Sequence, residues 1–168
     1  MVMEYLEGEM LAELLHRDKR LGVRQACEVT LQIAEAIHYI HEQKVVHCDL
    51  KSENVMLCEA PGGQRRGKVA KLLDFGLARS TAGMRHTGSL SGTPQYVAPE
   101  RIRGGQPTPS SDIYSLGILL YEMLAGQVPW DGNMAQVLTG HLDQEPPDLA
   151  ARRGEAIDPA LAQLVAKA

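Results

Sequence analysis

The chain has 168 residues, 44% of them hydrophobic and 23% charged, with a formal net charge of −4. This length carries one domain with a real core, and the composition is that of a globular protein, which excludes a disordered tail. The negative balance gives no footing for nucleic acid or an anionic membrane surface, and no apolar run reaches membrane-spanning length.

In chain order, Met1 to Leu6 is short and apolar with a polar follower, which predicts a strand. Met10, Leu11, Leu14 and Leu15 stand at helical spacing and predict a short helix over Glu9 to His16. Val23 to Glu42 is the longest helical pattern, with Ala26, Ile33, Ile37 and Ile40 on one face and Gln25, Glu28, Gln32, Glu35 and Glu42 mainly away from it. Short strands are predicted at Val45–His47, Val55–Cys58 and Val69–Leu73. The last two are joined across the turn-rich, basic stretch Ala60–Gly67, giving an elongated hairpin. Residues 74 to 100 are rich in Gly, Ser and Thr without periodicity and read as a mobile loop. From Ser111 to Gly126 the pattern is helical and apolar on most sides, so this helix is expected to be buried. Met134–Leu142 and Asp158–Ala168 predict two more helices, with Asp158 as N-cap and Pro159 at the first helical position. Cys27, Cys48 and Cys58 lack metal-ligand spacing. An odd number of cysteines without a secretory leader fits free thiols in a reducing, cytoplasmic setting.

The chemistry lies between these strands. His47-Cys48-Asp49-Leu50-Lys51-Ser52-Glu53-Asn54 precedes one strand, and Asp74-Phe75-Gly76 follows another. A carboxylate at Asp49 suits orienting an attacking hydroxyl, and Lys51 suits neutralising charge on a moving phosphoryl group. Asn54 and Asp74 offer the hard oxygen ligands that magnesium prefers. In an extended loop, Lys51 is aimed to the same side as Asp49. The plain alternatives are a surface ion pair for Asp49 and Lys51 and a turn-capping role for Asn54.

These two segments resemble the catalytic loop and magnesium-binding turn of protein kinases, H-R-D-L-x-x-x-N and D-F-G, with Cys48 standing where arginine is usual. Three further segments fall in the family's order. Met3-Glu4-Tyr5-Leu6-Glu7-Gly8 resembles the hinge between lobes. Gly92-Thr93-Pro94-Gln95-Tyr96-Val97-Ala98-Pro99-Glu100 resembles the end of an activation segment. Ser111-Asp112-Ile113-Tyr114-Ser115-Leu116-Gly117 resembles the start of the large central helix. On this basis the chain is identified as a member of the eukaryotic-like (Hanks-type) serine/threonine protein kinases.

The resemblance implies a mainly α (α+β) fold, the helical C-lobe with short β-hairpins. Residues 1–168 are then expected to be a partial kinase domain, from the hinge to near the end of the C-lobe, cut at both ends, with the N-lobe upstream. It implies ATP and Mg2+ as cofactors and a protein Ser or Thr hydroxyl as acceptor. Asp49, Lys51 and Thr93 take the catalytic positions, and Asn54 and Asp74 the metal positions. Met3, Glu4, Leu6 and Met56 surround the nucleotide, with Glu9 reaching towards the ribose. His47 and Phe75 match packing residues, and Asp112 matches a residue that holds the loop backbone. Glu100 is expected to lack the downstream arginine that pairs with it. Cys48 cannot capture a phosphate, so phosphorylation at Thr81, Thr87, Ser89 or Ser91 is not expected to be the on-switch. The sequence contains no phosphate-covering G-x-G-x-x-G loop, so the chain alone is expected to be inactive. The rival reading is a catalytically inactive interaction module. A small-molecule kinase is disfavoured by Gly92 to Glu100.

Overall fold

The structure is a computed structural model that describes residues 5–60, 68–74, 79–80 and 92–167. It is predominantly helical with small antiparallel sheets. A short strand β1 (Gly8–Met10) leads into α1 (Leu11–Asp18), and α2 spans Val23–Glu42. β2 (Val45–Val46) and β3 (Val55–Glu59) flank a loop that ends in a 3-10 turn at Ser52–Asn54. β4 (Lys68–Leu72) and β5 (Arg79–Ser80) follow. A second 3-10 turn at Pro94–Tyr96 precedes α3 (Pro99–Ile102), α4 (Pro109–Ala125), α5 (Met134–Asp143), α6 (Leu149–Arg153) and α7 (Pro159–Lys167).

β3 and β4 form the expected hairpin, in the register Val55↔Leu72 to Glu59↔Lys68. β1 adds to the other edge of β3, with Met10 opposite Met56, and β2 pairs with β5. Neither β1 nor β5 was expected, because two or three residues carry no readable alternation and depend on the partner strand. Pairing of β1 moves the start of α1 to Leu11, two residues beyond the predicted Glu9. Most of the Ala60–Gly67 stretch and residues 81–91 lie outside the described residues.

α4 is the hub of the core. Leu116, Ile118, Leu119, Leu120, Tyr121, Met123 and Leu124 are all buried, which agrees with its all-round apolar pattern. α2 packs on it with Ala26, Val29, Ile33 and Ile37, while Ile40 is only half-buried. Burial of each such aliphatic side chain stabilises by roughly 1.5–3 kcal/mol. Gln32, on the polar side of α2, takes the Ala70 amide on its Oε1 at 2.9 Å and donates to the Lys68 carbonyl at 3.2 Å, which docks β4 on the helix.

α4 begins earlier than Ser111. Thr108 is its N-cap, accepting from the Ser111 amide at 3.3 Å, with Pro109 in the first turn. It ends at Gly126 in the left-handed region (φ 80°), where a Cβ would sit 2.3 Å from the Lys19 carbonyl oxygen. α6 was not foreseen. Its buried Arg153 donates to the carbonyls of Leu21 (3.0 Å) and Leu124 (2.7 Å), pinning it to the segment after α1 and to the end of α4. Asp158 caps α7 as expected, accepting from the Ala160 amide at 2.7 Å. Among the described residues, no helix is long and apolar enough to cross a membrane.

Candidate active site

The loop between β2 and β3 is held from beneath by α4. Asp112, 1% exposed, accepts the His47 amide on Oδ2 at 2.8 Å and the Cys48 amide on Oδ1 at 3.0 Å. The His41 ring adds a third bond to Oδ2 at 2.8 Å. These bonds hold Cys48 at φ 72°, a left-handed conformation that costs a non-glycine residue roughly 1–2 kcal/mol. His47 is fully buried. Its Nδ1 accepts the Asp49 amide at 3.4 Å, which leaves the proton on Nε2 for the Leu73 carbonyl at 3.0 Å. Both ring nitrogens are thus committed, and His47 acts as a strut and not as a base. Phe75 lies outside the described residues.

On this support the Asp49, Lys51, Asn54 and Thr93 side chains converge. Oδ1 of Asp49 accepts both the amide and the hydroxyl of Thr93, each at 3.0 Å. Oδ2 lies 3.3 Å from Lys51 Nζ and 3.3 Å from Asn54 Nδ2. Lys51 Nζ also donates to Thr93 Oγ1 at 2.9 Å, so this hydroxyl gives its proton towards a carboxylate and receives one from a cation. Gly92 makes the approach possible: at φ 116°, its Cβ position lies 3.2 Å from the Cys48 carbonyl. Asp49 and Lys51 side chains are only 12% and 22% exposed, so their charges are weakly screened.

The two candidate metal ligands are joined through the backbone. The Leu73 amide donates to the Asn54 carbonyl at 2.8 Å, which brings Asp74, the next residue, alongside Asn54. Asn54 Nδ2 is committed to the carbonyl of Asp49 at 2.7 Å as well as its carboxylate, so Oδ1 is the atom left to ligate a cation. Asp74 is exposed and sits at φ 54°. One amide oxygen and one exposed carboxylate suit magnesium, which keeps several waters.

The nucleotide candidates are less closely gathered. Met3 and Glu4 lie outside the described residues. Leu6 lines an open groove of about 600 Å3 with Tyr5, Glu7, Cys58, Val69 and Lys71. Met56 opposes Met10 and Lys71 and shares a sheet face with Cys58, so it borders the same side. One expectation needs correcting. Glu9 is taken up by Arg17 and by Lys68, the latter at 3.2 Å, because β1 places it beside β4. Glu100, expected to lack a downstream arginine, accepts the Ser111 hydroxyl on its Oε1 at 2.7 Å.

The family described as protein kinase domain matches residues 1–167. The chain belongs to the protein kinase family. Among bacterial relatives, a serine/threonine-protein kinase PknA of Corynebacterium glutamicum is 42% identical over 151 residues, covering 88% of this chain and 31% of that protein. The serine/threonine-protein kinase PrkC of Bacillus subtilis is 36% identical over 170 residues, covering 99% of this chain and 25% of the relative. PknB of Mycolicibacterium smegmatis is 33% identical over 171 residues, covering 99% and 26%. The chain thus spans about a third or less of the length of these relatives.

One cluster of this kinase-family chain escaped the sequence reading. Glu122 of α4 accepts the Tyr96 hydroxyl on Oε2 at 2.8 Å and the Ser52 hydroxyl on Oε1 at 3.3 Å. The two hydroxyls are themselves 3.2 Å apart. Burial pushes the Glu122 carboxyl up to about 7, against the lowering effect of the two hydroxyls. Burial and the neighbouring Glu122 likewise raise the Tyr96 hydroxyl above its ordinary value. The available signal was a single acid inside the apolar run Leu119-Leu120-Tyr121-Glu122-Met123-Leu124, a position that demands a partner.

Proposed function

We propose that this chain is the hinge-to-C-lobe part of a serine/threonine protein kinase, which transfers the γ-phosphoryl group of ATP to a Ser or Thr hydroxyl of a protein. One observation carries this reading: a hydroxyl, that of Thr93, is held 3.0 Å from the Asp49 carboxylate and 2.9 Å from the Lys51 ammonium. An acceptor hydroxyl arriving beside Thr93 meets the same two groups. Asp49 orients its proton and aims a lone pair at the phosphorus, and Lys51 offsets the negative charge of the transferring group. Thr93 marks the near edge of the acceptor position. Asn54, through Oδ1, and Asp74 would hold magnesium, which when bound neutralises the nucleotide phosphates. Leu6, with Met3 and Glu4 before it, and Met56 would border the adenine.

The test is Asp49→Asn in a preparation that phosphorylates a protein substrate. The turnover is expected to fall by roughly 10²–10⁴-fold, the usual worth of a positioned proton acceptor, with KM for ATP unchanged. Turnover within three-fold of the starting protein overturns the reading.

A further inference from the structure

α4, α5 and α7 border a cavity of about 150 Å3 that shares no residue with the candidate active site. Ile118, Val165 and the rings of Tyr114, Tyr121, Trp130 and His141 line it, and the exposed Ala166 stands at its edge. The polar atoms of these rings can be accounted for one by one. The Tyr114 hydroxyl pairs with His141 Nδ1 at 2.7 Å, and the Tyr121 hydroxyl donates to the Pro147 carbonyl at 3.0 Å. Trp130 Nε1 and His141 Nε2 are buried and have no hydrogen-bond partner among the described residues. Folded proteins rarely leave such groups unpaired, because each forfeits its bond to water. The two rings are also held in place. They meet edge to face with centroids 4.7 Å apart, and a Cβ at Gly140 would collide with the indole. Burial pushes the His141 imidazole below its ordinary value, against the opposing effect of the Pro94 and Gln95 backbone, so the ring is neutral at pH 7.

We propose that this cavity is a binding site for an uncharged, single-ring aromatic molecule carrying one hydroxyl, of which phenol is the simplest. Its size selects the ring: a largely apolar cavity of about 150 Å3 takes a benzene-sized guest. Its walls favour an aromatic guest, because the four rings offer edge-to-face contacts. The two unpaired nitrogens select the hydroxyl. The Trp130 N–H only donates, whereas His141 Nε2 donates or accepts according to its tautomer. A hydroxyl does both, so one group serves either arrangement. Charge is selected against, since no Asp, Glu, Lys or Arg lines the cavity and an ion there would be desolvated without a partner. Water meets the same nitrogens but leaves the apolar walls uncovered.

Trp130 is the only tryptophan of the chain, so its indole N–H gives a single signal in a proton–nitrogen correlation spectrum. Phenol, titrated into the 168-residue chain, is expected to move that signal to saturation with a Kd of roughly 0.1–10 mM, the range open to so small a ligand. Ala166→Phe changes an exposed position and puts a ring across the cavity; it is expected to weaken phenol by about ten-fold or more. Toluene, with a methyl in place of the hydroxyl, separates the apolar part of the binding from the polar part. In Trp130→Phe, the preference for phenol over toluene is expected to fall by about three-fold or more, read by ligand-observed NMR. An indole signal unmoved up to about 50 mM phenol overturns the site. So does an unchanged phenol affinity in Ala166→Phe, or an unchanged preference in Trp130→Phe. An indole signal that moves with protein concentration and not with phenol would put a second copy of the chain in the cavity, and would overturn it too. None of these measurements involves phosphoryl transfer, so the site stands or falls separately from the kinase reading.

Discussion

Asp112 and Glu122 sit in the first and last turns of α4, and both reach the loop from 47 to 54, yet they are held differently. Among the described residues, Asp112 accepts N–H groups: two backbone amides and an imidazole. Glu122 accepts hydroxyls instead. The helix dipole favours a negative charge at the first turn and opposes one at the last. Amides are fixed by the chain and cannot turn away, whereas hydroxyls rotate and donate elsewhere. One helix therefore holds two buried acids by different partners, amides at one end and hydroxyls at the other. Burial pushes the Glu122 carboxyl up, against the lowering effect of its two hydroxyls.

Asp112 predicts the largest effect on stability. Asp112→Ala leaves two buried amides and the His41 ring without their acceptor. At about 1–3 kcal/mol for each orphaned group, the total loss is expected near 3–5 kcal/mol. Urea unfolding measures it. A loss below 1 kcal/mol would mean that Asp112 is no more an anchor than a surface acid, and the contrast with Glu122 would collapse. Asp112→Asn, which keeps one acceptor oxygen, should fall between the two.

Glu122 predicts a smaller effect with a direction set by pH. A carboxyl whose value rises from 4.5 to about 7 on folding binds its proton more tightly in the native state. Its contribution to stability is fully present below 4.5 and is lost as the pH rises through about 7. The swing across that window is about 3 kcal/mol. Glu122→Gln removes the titrating group, so its stability should vary less than that of the unchanged chain between pH 4.5 and 8. Parallel pH profiles for the two proteins would show that the Glu122 carboxyl is not perturbed by burial.

Much of this contrast lay beyond the sequence, and the reasons are physical. Long periodic elements were legible. The bounds of α2 came out at Val23–Glu42, and the burial of α4 followed from its apolar run. The Asp158 cap and the β3–β4 hairpin were likewise readable from local chemistry. So was the convergence of Asp49 and Lys51, because two residues in an extended loop return to the same side. β1, β5 and α6 were not readable, since each exists through a distant partner: Met56, Val46 and the Leu124 carbonyl respectively. The Ser52, Tyr96 and Glu122 cluster failed to show for the same reason. Each is unremarkable alone, and only the fold brings the Glu122 carboxylate to both hydroxyls. The bond from the Ser111 hydroxyl to Glu100 was not readable either, since it depends on where α4 begins.

The smallest expected effect probes how firmly the anchor works. Cys48 stands at φ 72°, and its thiol donates a weak bond to the Val46 carbonyl at 3.4 Å. Glycine adopts this backbone without the steric cost of roughly 1–2 kcal/mol, but it loses more conformational entropy on folding, by roughly 0.5–1 kcal/mol. The two terms oppose each other, so Cys48→Gly should shift stability by less than about 1 kcal/mol, in the stabilising direction. Cys48→Val, with a branched Cβ in the same conformation, should lose at least that much. Repeating both changes in the Asp112→Ala background closes a cycle. If the two bonds from Asp112 are what hold Cys48 left-handed, their removal lets the loop relax, and the difference between Gly and Val should shrink by half or more. An undiminished difference would place the source of the constraint in the loop itself, and Asp112 would be a passive acceptor of a conformation set elsewhere.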